Sequence, residues 1–187
     1  MCGRMNIDTK LCPIISEFFG INFTAPNNDN LSPGQTVSTI INTNGNFNQL
    51  NVEWGIKPNW SKRLLINAQS ETVIQKPTFS NAIQGNRCLI PCSGWYEWRT
   101  ENGKKQRYLF SNSNGEPFLM AGIWYQSSTP QLVTLTTTPN EKCGQYHKRM
   151  PVMILPQDAG YWFQSPVEQL FPLFEAIDES IIDIAAA

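Results

Sequence analysis

The sequence predicts an α+β fold: a single domain over residues 1–187, built on a curved, mostly antiparallel β-sheet or barrel with short peripheral helices. Three observations predict it. Short β-rich runs recur along the chain, separated by turn pairs such as Asn44-Gly45 and Asn102-Gly103. Helical stretches are few, and proline or glycine cuts each of them. The 187 residues are 41% apolar, with ten Phe, six Trp and five Tyr, enough to fill one sizeable core but cramped for two.

Pro13 and Gly20 frame a short helix over 14–19, proline at its start and glycine at its end. Residues 22–33 (NFTAPNNDNLSP) read as a loop. Runs 37–42 and 49–54 flank Asn44-Gly45-Asn46 and form a hairpin. Residues 64–68 read as extended, and 77–84 as a helical turn ended by Gly85. Strands are expected at 87–91 running on to Trp98, at 106–110, at 118–125 paired with 132–137, and at 150–155. Residues 157–163 and 167–177 read as helices, the second kinked at Pro172, within an acidic helical segment 156–187.

No window approaches the ~20 consecutive apolar residues a membrane helix needs, and the polar start MCGRMNIDTK is no signal peptide. The expectation is a soluble, cytoplasmic chain with no membrane partner. Five cysteines without an export signal argue against a disulfide framework, and Cys88 and Cys92 sit in an apolar run as small core residues. There is no CxxC, and the one histidine lies four residues after Cys143, so no metal and no cofactor is expected.

The formal net charge of −1 conceals an asymmetry. All six charges after Leu155 are acidic, so residues 1–155 carry 14 bases against 9 acids, a balance of +5. Such a distribution fits either a polyanion-facing surface or a solvated charged face beside an acidic tail.

Cys2 follows the initiator methionine, which aminopeptidase generally removes before a small residue. The mature terminus would then carry an amine and a thiol on adjacent carbons, with reference pKa values of roughly 8 and 8.5. A 1,2-aminothiol attacks an aldehyde through nitrogen to give an imine, and sulfur then closes a thiazolidine. An internal cysteine cannot do this. A cysteine at position 2 can equally be incidental.

Four further clusters follow Met1-Cys2-Gly3-Arg4. They are Trp54-Gly-Ile-Lys-Pro-Asn-Trp60, Asn67-Ala-Gln-Ser-Glu-Thr72, Cys88-Leu-Ile-Pro-Cys-Ser-Gly-Trp-Tyr-Glu-Trp98 and His147-Lys-Arg-Met-Pro151. Taken in this order they resemble the SRAP family, the SOS response-associated peptidases. The run Asn30-Leu-Ser-Pro-Gly-Gln-Thr36 resembles that family's N-x-(A/S)-P loop.

The resemblance implies an SRAP-like fold and a role in the DNA damage response, with single-stranded DNA containing an abasic site as partner. Cys2 would form a covalent thiazolidine with the ring-opened aldehyde, and the family name adds a self-processing peptidase activity. Asn67 would position the amine and sugar, Glu97 would shuttle protons, and His147 would act on the opened deoxyribose. Arg4, Pro33, Trp60, Gln69, Phe79 and Arg149 would contact DNA, in a monomer that joins the nucleoid when bound.

Independently of the resemblance, Glu97 stands among Trp95, Tyr96 and Trp98, where burial would raise a carboxyl pKa, or else faces water on an alternating strand. His147 suits proton transfer near neutrality, or a structural role. Asn67 could simply cap a turn. Basic residues including Arg87, interleaved with Trp60 and Phe79, fit single-strand binding, although tryptophan and phenylalanine also fill cores. The chain departs from the family pattern at Gln69, where arginine is usual, at Ser93, where Asp or Asn is common, and after Leu155, where W-x-P-V-S is missing. Two other readings stay open: an N-terminal-nucleophile peptidase or amidohydrolase using Cys2, and a non-catalytic single-strand-binding module.

Overall fold

The computed structural model describes residues 3–187. Two twisted sheets and a few short helices make a mixed α+β fold. The smaller sheet holds β1 (Met5–Ile7), β2 (Asn28–Leu31), β7 (Gly94–Glu101), β8 (Lys104–Asn112) and β12 (Ile182–Ala186), in the order β12-β8-β7-β1-β2. The larger contains β3 (Thr36–Thr43), β4 (Asn46–Trp54), β6 (Arg87–Cys92), β9 (Phe118–Tyr125), β10 (Gln131–Thr137) and β11 (Met150–Pro151), with β5 (Asn67–Gln69) alongside β10. The helices are α1 (Leu11–Phe19), α2 (Pro77–Gly85), α3 (Glu141–Gly144) and α4 (Ala159–Gln164).

The larger sheet rolls back on itself. β10 pairs antiparallel with β9 over four residues and parallel with β4 over only two, too short a seam to close a barrel. Of the two forms expected, the curved sheet is the one present. Both long hairpins turn on the chemistry their sequences carry. Asn44 and Gly45 have φ of 53° and 85°, and Asn102 and Gly103 have 50° and 77°, the double positive φ of a type I′ turn.

The core lies between the sheets, around fully buried Trp54, Trp95, Trp162, Phe110, Ile40 and Leu89. Trp95 stacks on Phe110 at 4.8 Å and meets the Phe118 ring edge-on at 5.5 Å. Cys88 and Cys92 are fully buried, and burial pushes the Cys92 thiol up to about 12.

Several expectations need correction. The strand expected from Arg87 to Trp98 is two strands in different sheets. At Ser93 the chain crosses over: its N–H donates to the Asn6 carbonyl at 2.8 Å, and its hydroxyl accepts the Asp8 N–H at 3.0 Å. Helix α1 begins at Leu11, because Pro13 still falls in the first turn, where no intrahelical N–H is needed. The expected loop 22–33 contains β2, which pairs with β1. Strand 150–155 is cut to two residues and a Met120–Met153 bridge.

The acidic C-terminal segment is not a helix beyond α4. Pro166 and Pro172 break residues 167–174 into 3-10 turns, and Ile182–Ala186 forms β12. The signal was the alternation Ile182-Asp183-Ile184, which puts Ile182 in the core and Asp183 in water. Among the described residues, no helix is long and apolar enough to cross a membrane.

Gly94 is fixed by sterics. A Cβ there would stand 2.3 Å from the Phe110 carbonyl oxygen, so β7 and β8 can approach only with glycine at this place. We expect Gly94→Ala to lower stability by about 3 kcal/mol, read as a reduced midpoint in denaturant melts. A midpoint within error of wild type would show that β8 can move aside.

Candidate functional site

A groove of about 400 Å³ opens between β5, the loop before it, α2 and the end of β10. Trp60, Asn67, Gln69, Phe79, Thr136 and Arg149 are among the residues lining it, so five residues singled out from the sequence share one cavity. A second groove of about 480 Å³ continues past Trp60, Pro77 and Thr78 towards Lys57 and Gln131. Trp60 is 69% exposed and borders both. An exposed indole on a proline-flanked loop is a platform rather than core.

Phe79 differs from the expectation of a free stacking ring. It sits inside α2 and is only 6% exposed, so it supports the groove floor while its body belongs to the core. Gln69, the last residue of β5, is exposed at the groove, where its amide carries no charge.

Asn67 opens β5, which runs parallel to β10 with Asn67 opposite Thr134. The Thr134 hydroxyl donates to the Asn67 side-chain carbonyl oxygen, orienting the carboxamide. Arg149 is held by more than expected. Its guanidinium donates two bonds of 2.7 Å to the two oxygens of Glu71 and another of 2.6 Å to the Thr136 carbonyl. Its side chain is 14% exposed. The Arg149 hydrogen bonds hold the Glu71 carboxyl below its ordinary range. Glu71 was missed in the sequence reading. Its place two residues after Gln69, inside the same motif, was the available signal.

Arg4 and Pro33 do not line either groove. The Arg4 guanidinium donates to the Gly3 carbonyl at 2.7 Å, and Pro33 lies half-buried in the turn before β3. Arg87 is no phosphate ligand: it donates to the Ser165 and Phe163 carbonyls at 2.9 and 3.1 Å and lies over the Trp162 ring, tying the end of α4 to β6.

Glu97 stands on β7, opposite Tyr108 of β8, at 3% exposure. Burial pushes its carboxyl up to about 7, so both protonation states are populated near neutral pH. His147 follows α3, two residues before Arg149. Its Nδ1 lies 3.0 Å from the Arg149 backbone nitrogen and 3.1 Å from the Arg149 carbonyl oxygen, so the Arg149 backbone fixes the ring through that atom. Partial burial lowers its pKa against the raising effect of the Arg149 backbone hydrogen bond, and the adjacent Lys148 and Arg149 charges add to the lowering. The imidazole is therefore neutral near pH 7. Such a pair can hold and release protons at neutral pH. Cys2 lies outside the described residues.

The first strand leads towards this chemistry. Met5 pairs with Trp95, and the Tyr96 N–H donates to the Arg4 carbonyl at 3.0 Å, so the described start of the chain runs along β7 beside Glu97.

Comparison with known proteins settles the kinship. A sequence model of the family described as SOS response associated peptidase (SRAP) matches residues 1–184. The chain belongs to the SRAP family. It is 32% identical over 181 residues to the abasic site processing protein YoqW of Bacillus subtilis, covering 87% of this chain and 80% of that protein. It is 29% identical over 147 residues to the abasic site processing protein YedK of Escherichia coli, covering 74% of this chain and 65% of YedK.

Solved structures share this fold at lower identity. A Bordetella bronchiseptica protein superposes with a TM-score of 0.86 at 21% identity, covering 100% of this chain and 99% of its own. A phage-related protein of the same organism gives 0.81 at 24%, covering 100% and 94%. At these identities the likeness speaks for the fold alone.

A pH experiment reads Glu97. In the unfolded chain its carboxyl loses its proton near 4.5, and in the folded chain near 7. The stability this group contributes is present below the lower value and is lost as pH rises through the upper one. Glu97→Gln cannot ionise. Between about pH 5 and about pH 8, its stability relative to wild type should shift in its favour by up to about 3 kcal/mol. Denaturant melts across that range check this; parallel curves for the two proteins would mean the carboxyl ionises normally.

Proposed function

We propose that this SRAP protein captures abasic sites in single-stranded DNA through a covalent bond from Cys2, with residues 1–187 acting as one domain. The observation that carries this reading is a buried carboxyl poised near neutrality beside the path of the N-terminal strand. Kinship with abasic site processing proteins supports it.

In the proposed reaction the Cys2 amine adds to the sugar aldehyde. Protonation by Glu97 lets the carbinol oxygen leave as water and gives an imine. The thiolate then adds to the imine carbon, so one C–N and one C–S bond form for each water lost. Asn67, held by Thr134, orients amine and sugar. His147 exchanges protons with the opened deoxyribose. Peptidase action would use the same Cys2 in its own processing. Trp60 stacks a base beside the lesion, Arg149 contributes a charge already shared with Glu71, and Lys57 and Lys76 offer further charges to phosphates.

The test is an oligonucleotide carrying one abasic site, followed by a denaturing gel. Wild type should give a heat-stable adduct and Cys2→Ala none, while Cys2→Ser should give only an imine that borohydride can trap. No adduct with wild type overturns the reading, and cleavage of a peptide in its place favours the hydrolase alternative.

Groove binding has its own measurement. Trp60→Ala should weaken binding to an undamaged single strand about tenfold, the worth of one stacked base. Unchanged affinity by fluorescence anisotropy would remove the indole from the DNA path.

A further inference from the structure

Glu97 and His147 belong to different parts of the fold. Glu97 is on β7 of the smaller sheet, and His147 lies in the connection between β10 and β11 of the larger one. Proton transfer to one substrate requires these groups in fixed register, because a misplacement of about 1 Å can cost about a hundredfold in rate.

The C-terminal segment joins the two regions. β12 pairs with β8 from Ile182 opposite Asn112 to Ala186 opposite Tyr108, and β8 pairs along its length with β7, where Tyr108 faces Glu97. The same segment grips α3. The Lys142 ammonium donates to the Ile182 carbonyl, and the Lys142 backbone N–H donates to the Glu179 carboxylate at 3.0 Å. The Asn140 amide donates to the Ile177 carbonyl at 3.0 Å, while its oxygen caps α3 by accepting the Cys143 N–H at 2.9 Å.

From α3 the grip passes directly to the histidine. The Tyr146 and His147 backbone N–H groups both donate to the Cys143 carbonyl, at 3.0 and 3.2 Å. The Tyr146 ring packs edge-on against Tyr108 at 4.8 Å and Phe110 at 5.3 Å, and Arg99 lies over it at 4.5 Å. The buried Cys143 thiol, pushed up to about 12 mainly by burial, feels the charges of Lys142, Glu179 and Glu97 together.

We propose that segment 177–187 is a strap that holds His147 in register with Glu97, with Asn140 and Lys142 as its positioning residues. This rests on the roles proposed above for Glu97 and His147. Neither Asn140 nor Lys142 lines the grooves, so they act through α3 rather than on DNA. Among the described residues, the charges that act on the histidine are Lys148 and Arg149, the latter paired with Glu71. The Arg149–Glu71 pair does not involve the strap.

His147 is the only histidine, so its ring C–H gives a single proton NMR signal whose titration reads this site alone. Lys142→Met should loosen α3, relieve the burial that lowers the His147 pKa, and move its midpoint up towards the ordinary 6.5. Adduct formation with the abasic oligonucleotide should slow about tenfold, a fraction of the cost of a full misplacement. Binding to an undamaged strand should be unchanged, and Lys142→Arg should restore midpoint and rate. If Lys142→Met fails to fold, Glu179→Ala, which removes the carboxylate on the Lys142 N–H, should move both readouts the same way by a smaller amount. A wild-type midpoint and rate in a strap variant, even one with a lower melting temperature, overturns the proposal. If wild type forms no adduct, the reading of Glu97 and His147 fails instead, and the histidine titration alone judges the strap.

Discussion

Burying an ionisable carboxyl is the demand to which much of the surrounding structure answers. Glu97 keeps only 3% of its surface exposed, and a carboxylate taken out of water costs several kcal/mol unless it is protonated or compensated. The fold supports that burial with rigid neighbours. Trp95 and Phe110 stack two positions away, Gly94 lets β7 and β8 close tightly, and the hairpin beyond is set by paired positive-φ residues. A mobile strand would let water in and return the acid to its ordinary range. The poised carboxyl is thus a property of packing before it is a property of chemistry.

The groove follows a different logic. Of the cations lining it, Arg149 is tied by Glu71 and the Thr136 carbonyl, Lys76 is exposed, and Gln69 offers an amide where a guanidinium would add charge. The balance of +5 over residues 1–155 therefore overstates the attraction available inside the groove. Arg87 illustrates the same point, since its charge serves the α4–β6 junction. An exposed indole, Lys76 and the Lys57 end of the adjoining groove are left as the exposed part of this surface.

How far the sequence could be read depended on how local each determinant was. The hairpins at Asn44-Gly45 and Asn102-Gly103 were legible because two residues dictate the turn. The α1 stop at Gly20, with φ of 65°, was legible for the same reason. The motif residues Trp60, Asn67, Gln69, Phe79 and Arg149 converge on one groove although up to 89 positions separate them, so their shared order was a sound guide to proximity. The crossover at Ser93 was not legible, since an apolar run continues across it and only pairing with Asn6 and Asp8 divides it. β12 was mistaken for helix because an acidic, alanine-ended tail suits either state until β8 offers an edge to complete.

The sequence by itself determined the family, the fold class, the turns and the identity of the groups able to carry chemistry, because local backbone preferences and motif order are written residue by residue. Tertiary structure alone decided which of those groups are charged, exposed or already committed. Arg149 became a partner of Glu71, Phe79 became a floor, Glu97 became an acid held near neutrality, and the acidic tail became a strand gripping α3. The reason is physical. Burial and long-range pairing set the local dielectric and the supply of hydrogen-bond partners, and neither exists until distant segments meet.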